Sequence, residues 1–181
     1  MNQSTFTPQI MAKMALCVAL ISVSGYIAFP LPFSPAMITA STAAMCLAAF
    51  VLTPKQTFIT IAVYLLLGGV VGLPILPGGT AGLGRLLGPT GGFYFAWTVA
   101  FPAISMLKGK ENSLKRYILT GIIVSIPIVY AGGLLSMMLN MDITLEQAFV
   151  MAVFPFIPGD ILKCIAAALI GVRVNKALGN K

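Results

Sequence analysis

Long stretches of this sequence carry no charged side chain, and that constrains the fold more than any other feature. Met14–Pro54, Gln56–Gly84, Leu86–Leu107 and Tyr117–Met141 contain no Asp, Glu, Lys or Arg. Only 8% of the 181 residues are charged, against about 25% in a soluble domain. With 59% hydrophobic residues and a mean hydropathy of +1.00, the chain reads as an integral membrane protein. It is expected to be all-α, with residues 1–181 forming a single transmembrane domain of six spans. In lipid the backbone must satisfy its own hydrogen bonds, which leaves helices and closed barrels, and runs of this length favour helices.

The net charge of +7 does not point to nucleic acid. The basic residues sit in short gaps between apolar runs, as topology signals do. Cys17, Cys46 and Cys164 are scattered within apolar segments with no CxxC spacing, so they read as small packing residues rather than a disulfide or metal framework. There is no His. The run Met14–Phe29 behind Lys13 faintly resembles a signal peptide, but it lacks an A-x-A cleavage site and more apolar runs follow it. It reads as an uncleaved first span.

In chain order, the expected spans are Gln9–Phe29, Ala36–Leu52, Thr57–Val71, Gly91–Leu107, Tyr117–Leu139 (bent at Pro127) and Asp160–Asn175. Ala15 and Ala19 form a small-xxx-small pair on the first span, which lets another helix approach closely. That helix belongs either to this chain or to a partner subunit. Pro30, Pro32 and Pro35 make a rigid turn before the second span, whose first half carries Thr39, Ser41 and Thr42. These hydroxyls either bond their own backbone or face a ligand. A glycine-rich stretch over about 73–92 is too apolar for a solvated linker. Such backbone at membrane depth is tolerated only where protein or a cavity covers it, so it reads as an outer lid or cavity wall. It has no GxxxxGK[ST], hence no nucleotide loop. Thr144 and Gln147 are spaced to cap a short helix running through Phe154, broken at Pro155 and Pro158.

Six spans place both termini on one side. The gaps on that side hold Lys13, Lys55, Lys108, Lys110, Lys115, Arg116, Arg173, Lys176 and Lys181, while the other side has Arg85 as its one base, with Asp142 and Glu146. This asymmetry makes both termini cytoplasmic.

Within the apolar segments one acid, Asp160, and one deeply placed base, Lys163, stand three residues apart. On a helix they share a face. An ionised group in the bilayer costs at least about 2.5–3.5 kcal/mol, so such residues are normally paired, turned to a cavity and functional. The plainer alternative is an ion pair that fixes helix register. Asp160 also falls near a helix start, where it either caps free N–H groups or meets a ligand. Thirteen residues separate it from Arg173, about 20 Å of helix. The pair therefore lies in the outer half of the membrane, below the glycine-rich loop.

Enzymatic readings fare badly. An intramembrane aspartyl enzyme needs a second carboxylate, a Ser–His nucleophile needs His, and metal ligands are missing. Ion-coupled transporters use several intramembrane carboxylates and repeated halves, and neither is evident. A solute-binding membrane subunit energised by another protein is what remains.

Leu87-Gly88-Pro89-Thr90-Gly91-Gly92-Phe93 and Pro155-Phe156-Ile157-Pro158-Gly159-Asp160-Ile161-Leu162-Lys163 resemble the two signature stretches of the BioY family. Its members are biotin-binding S components of energy-coupling factor (ECF) transporters. The resemblance covers most of the chain. It implies an S-component-like fold in the cell membrane that captures biotin from outside and releases it inward. That requires docking on a transmembrane coupling subunit and two ATP-binding cassette subunits; no cofactor is implied. It makes Asp160 and Lys163 biotin contacts, with Lys163 serving either the ureido oxygen or the carboxylate, and Ala15 and Ala19 docking residues. Gly91 and Gly92 would let backbone approach the ligand, and Thr39, Ser41, Thr42, Tyr94 and Trp97 complete the expected site. The sequence departs from the pattern at Ser41, where Gln is common, and at Phe93, Ala96 and Arg85. Rival readings are an S component for another small vitamin and a non-transporting membrane assembly factor.

Overall fold

The computed structural model describes residues 7–179. Nine helices and one hairpin follow in order: α1 (Pro8–Ser24), β1 (Ala28–Leu31), β2 (Ser34–Thr39), α2 (Ser41–Val51), α3 (Pro54–Leu65), α4 (Leu83–Leu87), α5 (Gly91–Leu107), α6 (Leu114–Thr120), α7 (Ile126–Met141), α8 (Leu145–Ala152) and α9 (Ile157–Ala177). Wide π turns extend α3 over Leu66–Val70 and join α6 to α7 over Gly121–Ser125. The α6–α7 unit, Leu114–Met141, is by itself long and apolar enough to cross a membrane. The α8 and α9 helices pass the same test as a pair bent by 47°. With α1, α2, α3 and α5 these make six apolar helical units.

Helix starts follow the local chemistry. Pro8 opens α1 behind Thr7, whose hydroxyl accepts from the Ile10 N–H at 3.3 Å. The expected cap at Thr144 is present: its N–H donates to Gln147 Oε1 at 2.9 Å and its hydroxyl accepts from the Gln147 N–H at 3.4 Å. The α6–α7 irregularity sits one turn ahead of Pro127. The proline ring would clash with the carbonyl four residues back, and the wide turn relieves that.

Two expected boundaries need correction. The first span ends at Ser24 rather than Phe29, and the second starts at Ser41 rather than Ala36. Between them the chain forms an antiparallel hairpin, with Ala28 opposite Thr39 and Pro30 opposite Met37. Prolines 30 and 35 cannot sit inside a helix, but both strands of a two-stranded ribbon are edges, where a missing N–H is tolerated. Thr39 therefore comes from a strand. At the far end of the chain, α9 begins at Ile157 with Pro158 in its first turn, where proline is accommodated.

The units pack with α5 against α7 and α2 against α9 as the broadest contacts. Gly92 and Gly132 set the first: a methyl on Gly92 would run into the Gly132 carbonyl oxygen. The outer shell is apolar, with Leu16, Leu139 and Leu162 among many large hydrophobic side chains left open, as lipid contact requires. Basic residues gather at one end. There Lys108 donates to the Ala49, Phe50 and Leu52 carbonyls at 2.9, 2.7 and 2.6 Å, closing the C-terminus of α2. Burial lowers its pKa to about 8, which leaves the ammonium charged at neutral pH. Asn175 adds a bond to Phe50 O at 2.9 Å. The opposite end, where α2 and α9 begin, is free to open into a cavity.

Candidate functional site

That cavity, about 580 Å³ of space counting its open mouth, is lined from five directions. The hairpin and the start of α2 give Met37, Thr39 and Thr42. The glycine-rich connection gives Pro77 and Arg85, α5 gives Phe93, Tyr94 and Trp97, α7 gives Val129 and Tyr130, and α9 gives Asp160 and Lys163 with Phe156 just ahead of them. The mix of apolar walls with a few convergent polar groups is typical of small-molecule sites.

Asp160 and Lys163 share one face of α9 as their spacing requires, and they meet at 2.9 Å (Nζ to Oδ1). Their side chains are 16% and 18% exposed. The Tyr130 hydroxyl donates to the other carboxylate oxygen at 2.8 Å. Of the two roles open to Asp160, capping is not the one adopted. The capping position is Phe156, and the Asp160 N–H already bonds Phe156 O at 2.8 Å, inside the helix. Its carboxylate is left to the cavity. An ionised carboxylate has about four lone-pair sites and an ammonium has three protons, so both retain capacity for a ligand.

Two further lining groups are short of partners. The indole Nε1 of Trp97 and the hydroxyl of Thr42 are buried with no hydrogen-bond partner among the described residues. A buried donor without an acceptor costs roughly 1–3 kcal/mol, so a ligand that supplies one gains that interaction. Tyr94 stands edge-on to Trp97, ring centroids 4.9 Å apart at 86°, and steadies the indole.

Three expected site residues do not reach the cavity. Ser41 is fully buried and lies outside the lining, since one residue along a helix turns the side chain by about 100° from Thr42. Gly91 and Gly92 line a separate apolar groove between α5 and α7. Their role is packing: a Cβ at Gly91 would strike the Leu86 carbonyl, and one at Gly92 the Gly132 carbonyl. Conversely, Tyr130 and Arg85 belong to the lining although the sequence offers no spacing that ties them to Asp160. Below the main cavity lies a smaller chamber that shares Thr42, Tyr130, Asp160 and Lys163 and reaches Cys46 and Cys164, whose sulfurs are 3.9 Å apart.

A bundle of apolar helices that holds one ion pair in a walled cavity at one end is the fold of a membrane protein that binds a small polar ligand. The chain belongs to the BioY family, whose family model matches residues 1–180. A protein of Bacillus subtilis described as a probable biotin transporter BioY is 33% identical over 93% of this chain and 91% of its own length. A biotin transporter BioY of Thermotoga maritima is 32% identical over 91% of this chain and 94% of its own. Among solved structures, the S-component for biotin from an ECF-type ABC transporter superposes with a TM-score of 0.86 at 26% identity, covering 94% of this chain and 95% of the other.

Proposed function

We propose that this chain is the biotin-binding S component of an ECF-type transporter, binding biotin on the outer side of the cell membrane. The observation that carries this is the cavity itself: an acid, a base and a phenol bonded together beside an unpartnered indole N–H and hydroxyl. Biotin presents a ureido ring with two N–H donors and a carbonyl, an apolar thiophane ring and a carboxylate tail. Asp160 accepts the ureido N–H groups, Lys163 and the Trp97 N–H are donors within reach of the ureido oxygen, and Phe93, Val129 and Phe156 enclose the apolar ring. Such a cavity is suited to binding rather than to breaking bonds. The sequence has no His, and the cavity holds one carboxylate where an aspartyl enzyme needs two.

The six apolar units are the six spans of one transmembrane domain, with both termini cytoplasmic. The units of 17 residues are at the lower limit of the roughly 17–25 needed to span, and the hairpin lengthens the 11-residue α2. Release inward depends on ATP-hydrolysing subunits joined through a transmembrane coupling subunit. Ala15 and Ala19 are the docking residues. Both are exposed, while α1 packs inward through Met14 and Ile21, so the small-residue face is left for a partner.

Titration of labelled biotin onto the purified chain tests the reading. Asp160→Asn and Lys163→Met are each expected to weaken binding by about 10²-fold, the range for cutting one partner of a desolvated charged contact. The double variant should fold without regaining affinity. Because the pair is closed in the free protein, a purely structural role predicts the opposite: the double change tolerated better than either single one. Near-normal affinity in the double variant would leave the ligand site elsewhere.

A further inference from the structure

We propose that Arg85 binds the ligand's carboxylate, so that the cavity selects the free acid over its uncharged amides. The inference rests on the biotin reading and assigns a contact that reading leaves open. Three charged side chains line the cavity: Arg85, Asp160 and Lys163. Asp160 and Lys163 neutralise each other at 2.9 Å. Among the described residues the Arg85 guanidinium has no ion-paired or hydrogen-bonded acceptor. The cavity therefore carries one uncompensated positive charge, and it sits on Arg85 rather than on Lys163.

Its place in the cavity fits a tail rather than a head group. The smaller chamber marks the deep end, and it shares Thr42, Tyr130, Asp160 and Lys163 with the main cavity but not Arg85. Arg85 and Pro77 line the main cavity and not the deep chamber. A ligand whose ureido ring lies against Asp160 and Tyr130 points its acidic chain outward, away from Lys163 and toward Arg85. A guanidinium offers the planar fork that holds a carboxylate through two parallel bonds.

Arg85 is also held in position. Its short helix α4 is tied to the end of α3 by the Gly82 N–H bonding Gly68 O at 2.8 Å. Leu86 is buried so closely against Gly69 that a Cβ there would strike it. With Leu86 turned down onto α3, the adjacent Arg85 is presented to the cavity.

The test compares biotin with biotinamide, in which a neutral amide of the same size replaces the tail carboxylate, on the purified full chain. The wild type should favour biotin by about tenfold or more, equivalent to roughly 1.4 kcal/mol. Arg85→Gln should remove most of that preference by weakening biotin far more than biotinamide, and Arg85→Lys should restore part of it. Retention of the preference in Arg85→Gln, or equal binding of the two compounds by the wild type, would overturn the assignment. So would loss of the preference in Lys163→Met with Arg85→Gln unaffected, because Lys163 would then be the carboxylate's partner. Failure of the wild type to bind either compound would overturn the biotin reading itself, and this inference with it.

Discussion

Trp97 shows how a single residue separates binding from stability. The residue is 4% exposed and packed, yet its N–H meets no acceptor among the described residues. Removing that N–H breaks no internal bond and takes away an uncompensated buried donor. Trp97→Phe should thus leave the melting temperature of the ligand-free chain no lower than its loss of ring volume dictates, while weakening biotin about five- to tenfold, the value of one neutral hydrogen bond. A thermal melt and a biotin titration on the same preparation check both halves. An affinity that matches wild type would mean the indole faces the ligand's apolar ring only. Tyr130 belongs to a different class, because its hydroxyl is already bonded to Asp160 at 2.8 Å. It holds the carboxylate oxygen not engaged by Lys163 and so fixes the direction in which the remaining lone pairs point.

At the scale of elements, the decisive contact is α5 on α7. Their backbones meet at Gly92 and Gly132 with no room for a side chain. Gly92→Ala is expected to destabilise the chain by about 1–3 kcal/mol, as overpacking of a tight contact does. Detergent-denaturation or thermal curves would show it. Because Gly92 lies in the α5–α7 groove and not in the cavity, the protein that remains folded should bind biotin within a few-fold of wild type. A large loss of affinity with unchanged stability would return Gly92 to the ligand site. The glycine-rich signature is therefore legible in sequence as a need for close approach, but not as to what approaches: here it is a carbonyl of the same chain. The hairpin is similar. Its prolines announce that no helix runs through 30–35, yet not that the segment folds back in register to bring Met37 and Thr39 over the cavity.

For the whole molecule, the proposed orientation in the membrane follows from the charge asymmetry and is open to a direct test. Lys108, Asn112 and Asn175 lie at the end where α2 closes, and Glu146 lies beyond α7 on the cavity side. In a variant lacking native cysteines, a membrane-impermeant thiol reagent added to intact cells should label Cys introduced by Glu146→Cys and not by Lys110→Cys. Both positions are exposed, and Glu146 is preferred to Asp142, whose φ of +52° tolerates substitution less well. The reverse pattern would place the cavity on the cytoplasmic side and remove capture from outside. Ala15 and Ala19 are exposed along α1, where the proposed coupling subunit would meet them.

The sequence alone determined what local and compositional physics controls. Charge-free runs demand a lipid-facing helical fold, and a three-residue spacing puts Asp160 and Lys163 on one helix face. The capping of α8 by Thr144 and Gln147 is equally local. What only the tertiary structure decided is which faces of those helices meet. In lipid no hydrophobic force separates inside from outside, so apolar residues occupy both sides of a helix and the helical period does not mark the core. Nothing in the chain signals that Tyr130, thirty positions before Asp160, is its second partner, that Ser41 turns away while Thr42 faces in, or that Leu86 is buried on Gly69 while Arg85 lines the cavity. Those assignments depend on packing between distant segments, where steric fit and unsatisfied polar groups, rather than hydropathy, select the arrangement.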